Sequence, residues 1–225
     1  MAPIAWMRKK TRLAPRAVAL KMASAGGLDG TVVQGTSRGS VLEFSAILRP
    51  HADYGMGLLA LIAAFCASEG IRRDTGIMTW IRWPDEVVAD GKVLASTSLV
   101  SVGSPESVGA VLNFRVNHGR VRTEGSTSLE EILGVRIDPD LLVTKTMESL
   151  SWMYSGWLEQ RHPQILNRIG SMLENAGKTV STKRGNRRED ALVVGVDEKG
   201  RLLLRTAGTG ASTHVEPSRR IEPLP

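Results

Sequence analysis

Between Val41 and Pro50 the chain reads VLEFSAILRP, with Leu42, Phe44, Ala46 and Leu48 at alternate positions. A period of two places those four side chains on one face of a β-strand. A few residues on, the pattern changes. Residues 56–69 are the most apolar stretch of the chain and read as a helix. A one-faced strand running straight into a long apolar helix demands a sheet with helices packed on it, so the fold has to mix the two kinds of element.

The flanking segments extend that pattern. A short helix is predicted after Pro15, with Val18, Met22 and neighbouring alanines on one side, followed by a strand at 30–34. The stretch 76–84 is strand-like and ends at Pro84, and 91–102 and 108–117 are two further strands. Ser128 and Glu131 have the spacing of a capping box, with a stop at Gly134. Asp138-Pro139 opens a helix that runs to about Gln160, and another is expected near 163–176. After Gly177 the character changes to short β-runs divided by KRGNRRE, EKG and AGTGA, the pattern of a small β-barrel or curled antiparallel sheet. Two domains are therefore expected, residues 1–176 and 177–225.

The 225 residues suffice for a sizeable core, and the formal charge of +6 is a modest excess. A single cysteine, Cys66, excludes an internal disulfide and fits a reducing cytoplasm. It sits in an apolar run and reads as a small buried hydrophobe. The N-terminal MAPIAWMRKKTR turns basic too early for a signal peptide, and the longest uncharged run is too short to span a bilayer comfortably. The expectation is a soluble, cytoplasmic protein with no membrane partner.

The stretch WIRWPDEVVADGKVLAS, from Trp80 to Ser96, carries Arg82, Asp85, Glu86, Asp90 and Lys92 around one corner. By itself that is a solvated turn. In chain order, however, QGTSRGS (34–40) resembles the Gln-Thr-Ala-Gly-Arg-Gly-Arg loop of the biotin protein ligases and their lipoate-ligase relatives. RWPDEVVADGKVLAS (82–96) is similar to their Lys-Trp-Pro-Asn-Asp stretch followed by a Gly-Lys-Lys-Leu-Ala-Gly hairpin. VLNFRVN (111–117) stands where they have Gly-Ile-Gly-Ile-Asn-Val-Asn, and TSLEEILG (127–134) resembles the start of their later helices. The resemblance covers roughly residues 15–216. It implies an α+β fold: a mixed β-sheet flanked by helices, class II synthetase-like, with a small C-terminal SH3-like β-barrel.

The resemblance also implies a chemistry. Such ligases join the carboxylate of biotin to the α-phosphate of ATP, then pass the acyl group to a lysine on the carrier domain of a carboxylase. Cations and backbone N–H groups have to face the phosphate oxygens where charge concentrates. Carried over residue by residue, the candidate catalytic residues are Lys92 and Arg82. The candidate binding residues are Gln34, Arg38, Gly39, Trp83, Asp85, Ser96 and Asn113. The implied ligands are ATP with magnesium, and biotin or a related acid; the implied partner is a biotin carrier domain.

Several positions depart from the family pattern. Ser37 and Ser40 replace a glycine and an arginine of the loop. Asp85 and Glu86 replace Asn-Asp, adding a carboxylate. Counted from Trp83 without a gap, the second lysine of the hairpin falls on Val93. Lys92 is one residue away, and neighbours on a strand point to opposite faces, so it substitutes only if the register slips. Two functions follow: an ATP-dependent ligase with a rearranged site, or a non-catalytic relative that binds a small carboxylic acid or a protein.

Other patterns carry less. His51, His118, His162 and His214 lack metal-ligand spacing. KRGNRRE has no interleaved aromatics, so nucleic acid is not an expected partner. Trp152, Met153, Tyr154 and Trp157 crowd one helix and read as core, any exposed part being a candidate homodimer face.

Overall fold

The computed structural model describes residues 4–36, 39–50, 55–104, 107–184, 187–206, 212–215 and 222–223. The first part of the chain forms β1 (Met7–Thr11), α1 (Pro15–Ser24), β2 (Thr31–Gly35), β3 (Val41–Leu48) and α2 (Met56–Thr75). Then come β4 (Trp80–Arg82), β5 (Glu86–Ala89), β6 (Lys92–Ser104), β7 (Ser107–Asn117), α3 (Leu129–Leu133), α4 (Pro139–Leu158) and α5 (His162–Gly170). The last part holds β8 (Thr179–Arg184), β9 (Arg187–Val196), β10 (Leu202–Thr206), β11 (Ser212–Val215) and β12 (Glu222–Pro223). No helix among the described residues is long and apolar enough to cross a membrane.

Seven strands form a mixed sheet in the order β1-β2-β3-β7-β6-β5-β4, parallel only between β1 and β2. Register gives its two faces opposite characters. Leu42 lies across from Val116, Phe44 from Phe114 and Ala46 from Leu112, and all six are buried. The rings of Phe44 and Phe114 stack with centroids 4.7 Å apart. This face carries α2 and α4, whose Leu58, Ile62, Phe65, Leu150, Met153 and Trp157 complete the core. On the other face Glu43 lies across from Arg115, Ser45 from Asn113 and Ile47 from Val111. There α1 covers only the apolar end, packing Ala19 and Ala23 on Val33, Ile47 and Val111. The polar end of that face is left open, and this asymmetry creates the cleft.

Two elements differ from expectation. The basic N-terminal stretch is an edge strand, β1, although MRKKT has no apolar face. Its cations are the reason: Arg8 Nη2 donates to Thr144 Oγ1 at 2.7 Å and Lys10 Nζ to Asp140 Oδ2 at 2.7 Å, tying β1 to the start of α4. The Trp80–Ser96 stretch makes two turns rather than one corner. The second, Asp90-Gly91, has φ of 48° and 72°, the left-handed pair that suits a tight hairpin. The capping box is half made. Ser128 Oγ accepts from the Glu131 N–H at 3.2 Å, but Glu131 reaches Val121 N–H instead of the cap.

The C-terminal strands form an antiparallel sheet, β11-β10-β9-β8-β12. Among the described residues it is open, β11 and β12 being unpaired with each other. Val180, Val193, Leu202 and Leu204 join the main core. The β9–β10 turn docks on the start of α2, where Gly57 and Gly200 meet backbone to backbone. Beside it the buried Trp83 donates Nε1–H to the Gly200 carbonyl at 3.0 Å.

Candidate functional site

On the open end of the sheet, alternate residues of three strands make two polar rows. Glu43, Arg115 and Ser96 form one, and Ser45, Asn113 and Ser98 the next. Period two puts them on one face, and among the described residues no helix covers Glu43, Arg115, Ser96 and Ser98. With Arg16 from the first turn of α1 and Asp85 from the β4–β5 turn, Glu43, Arg115, Ser96, Asn113 and Ser98 line a cleft of about 360 Å³, and Ser45 is buried beneath Asn113. Ser45 Oγ donates to Asn113 Oδ1 at 2.8 Å, which fixes the amide. Arg115 Nη1 lies 3.9 Å from Glu43 Oε1, a loose pair.

A second hollow of about 370 Å³ continues past Asp85. Arg82, Trp83, Glu86, Val93, Glu124 and Ser126 are among its lining residues. A smaller one of about 210 Å³ is lined by Arg12, Pro15, Gly35, Thr36 and Glu43 among others. Asp85 is common to the first two hollows and Glu43 to the first and third, so the three form one groove across the sheet face.

The structure brings Asp85, Ser96 and Asn113 together in this groove and places Arg82 and Trp83 at one end. Arg82 is engaged there: Nε is 2.7 Å from Glu174 Oε2, Nη2 is 3.0 Å from Glu174 Oε1, and Nη2 also donates to the Gly91 carbonyl. Trp83 serves the docking of the second sheet. Gln34 lies on the opposite face, across from Phe44, where Nε2 donates to Asp140 Oδ1 at 2.8 Å. Gly39 is exposed, and Arg38 falls outside the described residues.

The structure also fixes the register of Lys92. A β-bulge pairs Val87 with Ala95 and Val88 with Val93, leaving Leu94 unopposed. Leu94 and Ala95 both turn into the core, and Val93 and Ser96 both face the groove. The slip thus occurs inside β6, after Val93, and not in the turn. Lys92 pairs with Ala89, is exposed, and lines none of the three hollows.

Sequence reasoning did not single out Glu43, Arg115, Arg16 and Ser98. The signal for three of them was parity: Glu43 alternates with the apolar row of β3, Arg115 stands two residues from Asn113, and Ser98 two from Ser96. Arg16 had no such signal, because it reaches the cleft only through the packing of α1. Chemically the cleft offers two guanidiniums, two carboxylates, an amide and hydroxyls, a surface for a small polar molecule carrying both signs of charge.

Among the described residues the hollow beyond Asp85 presents three carboxylates, Asp85, Glu86 and Glu124, and its guanidinium is already held by Glu174. Among the described residues no group of three His, Cys, Asp or Glu side chains is placed to hold a metal ion.

No protein-family model and no curated protein sequence matches the chain. Solved structures do. Biotin protein ligase from Aquifex aeolicus superposes with a TM-score of 0.78 at 18% identity, covering 99% of this chain and 100% of that one. The Aquifex aeolicus ligase in complex with biotin and ATP gives 0.73 at 17% identity, with 100% of both chains covered. A biotin protein ligase-like protein of unknown function from Silicibacter gives 0.76 at 16% identity over 94% of each chain. The chain has the biotin protein ligase fold.

Proposed function

We propose that this biotin protein ligase-like protein binds a small carboxylic acid in the cleft between α1 and strands β3, β7 and β6, and does not carry out ATP-dependent ligation. One observation carries the reading. Where the resemblance puts the ammonium group that meets carboxylate and phosphate, the side chain facing the groove is Val93, while Lys92 stands outside it. An isopropyl group offers no charge to a developing phosphate anion. Arg16 and Arg115 supply the cations for a carboxylate instead, and Ser96, Ser98 and Asn113 supply hydrogen bonds.

A second reading keeps catalysis. With both guanidiniums in the cleft, Arg16 and Arg115 would take over the phosphate-facing role, and the product would pass to a carrier-domain lysine of a biotin-dependent carboxylase. Calorimetry separates the two. The protein is titrated with a panel of small carboxylic acids, including biotin, lipoate, octanoate and the amino acids, with and without ATP, and pyrophosphate release is assayed in parallel. Acid binding that ATP leaves unchanged, with no pyrophosphate, is the expected result. Pyrophosphate release with biotin and ATP establishes the second reading, and a flat titration for every acid overturns the first.

A further inference from the structure

Resting on the reading of the cleft as an acid site, we infer that its ligand is an α-amino acid, whose carboxylate is taken by Arg115 and whose ammonium is taken by Glu43. The two protein groups stand side by side on neighbouring strands, in one row of the sheet. At 3.9 Å their separation exceeds a charge-assisted hydrogen bond, which runs at about 2.7–2.9 Å. The Arg115 side chain is 57% exposed and that of Glu43 36%, and among the described residues neither side chain makes a hydrogen bond. Both therefore keep their hydrogen-bonding capacity for a ligand.

The spacing selects the ligand. An α-amino acid carries its ammonium and carboxylate on one carbon, about 3 Å apart by covalent geometry, which matches an adjacent carboxylate and guanidinium. A simple carboxylate docked on Arg115 sits beside Glu43 and is repelled. In the neighbouring row, Asn113 has its carbonyl oxygen occupied by Ser45 and so turns an N–H₂ donor to the ligand side, next to Ser98. That row meets a polar side chain, not an aliphatic tail. The volume of about 360 Å³ lies at the small end of the range for small-molecule sites, roughly 300–1,000 Å³.

Titration of the intact chain with the twenty L-amino acids, with biotin and octanoate, and with the N-acetyl derivative of any amino acid that binds, tests this. An amino acid is expected to bind, its N-acetyl form at least tenfold more weakly. Glu43→Gln is expected to erase that preference, and Arg115→Gln to abolish binding, both melting near the parent because the two side chains are exposed. Should a variant fail to fold, the N-acetyl comparison on the parent chain decides alone. Equal binding of the N-acetyl form, or binding of biotin or octanoate with no amino acid, overturns the inference and leaves the acid site standing. Silence from every ligand overturns both.

Discussion

Arg82 lays its guanidinium edge along the Glu174 carboxylate, with Nε 2.7 Å from Oε2 and Nη2 3.0 Å from Oε1. The pair closes the edge of the seven-stranded sheet. Ile81 of β4 hydrogen-bonds Met172 and Glu174 through its backbone, so the segment after α5 runs as a short extra edge beside β4. Arg82 therefore acts as a pin between the hairpin and that segment. The Arg82 side chain is 34% exposed and that of Glu174 19%, so the pair ranks above a surface ion pair and below a buried one. Arg82→Gln and Glu174→Gln are each expected to cost about 1–2 kcal/mol, or about 2–8 °C in melting temperature for a chain of this size. The double variant should cost little more than either single one. Arg82→Lys should recover only part of the loss, since an ammonium cannot make the two-point contact.

Gly57 and Gly200 set how closely the second sheet can sit on the first. A Cβ on Gly57 would collide with the Lys199 carbonyl oxygen, and one on Gly200 would lie 2.5 Å from the Gly57 carbonyl oxygen. Both obstacles are backbone, which cannot swing aside as a side chain does. Gly200 also has φ of +77°, a conformation that alanine adopts only with strain. Gly57→Ala is expected to destabilise by about 1–3 kcal/mol through overpacking. The turn at 197–200 should then exchange its amide hydrogens faster, because the Trp83–Gly200 hydrogen bond is pulled apart with it. Unchanged exchange there would show that the docking tolerates a methyl group.

Much of the fold could be read from patterning, because the apolar face of β3 and the helices that cover it obey simple periods. Leu42, Phe44, Ala46 and Leu48 are all buried, as alternation requires, and Ser128 caps α3 as its spacing predicts. β1 was invisible because it is held by cations reaching a neighbouring helix, a tertiary effect that no local pattern encodes. The site was harder for a related reason. Leu94 and Ala95 are both apolar, so nothing in the sequence announces the bulge that turns both inward and sets which residues of β6 face the groove. Gln34 shows the same dependence on parity. Its position in a loop-like motif points to a ligand, whereas its register across from Phe44 sends it to Asp140.

Asp140 gives that arrangement a pH signature. Hydrogen bonds from Lys10 and Gln34 hold its carboxyl below the ordinary value, against the opposing effect of burial. A depressed folded pKa contributes stability above the unfolded value of about 3.9, and that contribution is lost as pH falls through the folded value. The Asp140 side chain is 40% exposed, so salt should weaken the effect. Melting temperature should fall as pH drops below about 4, and Asp140→Asn should flatten that limb while lowering the plateau at neutral pH. A steep limb that survives the substitution would assign the acid sensitivity elsewhere.

Cys66 is fully buried in α2, and burial pushes its thiol well above the ordinary range, with a hydrogen bond to Ser149 opposing. The thiolate is the reactive form, so an aromatic disulfide reagent should leave the native chain unlabelled for hours at neutral pH. Labelling should appear in step with global unfolding as denaturant is raised, because no local opening exposes the middle of a core helix. Fast labelling of the native protein would mean that α2 opens on its own.

Lys92 and Val93 test the proposed function at adjacent positions. Lys92 is exposed at the start of β6 and lines no part of the groove, so Lys92→Ala should leave acid affinity within about twofold and stability within about 0.5 kcal/mol. Val93 faces the hollow that contains Asp85, Glu86 and Glu124. Val93→Lys brings an ammonium group to three carboxylates, and the aliphatic stem covers the surface that valine covered. The variant is expected to fold, and to bind ATP measurably where the parent does not, because the introduced cation offsets part of the negative charge lining the hollow. Calorimetry with ATP on the parent and both variants checks all of this in one series. If Lys92→Ala abolishes acid or nucleotide binding, the lysine reaches the groove in solution and the case against ligation falls with it.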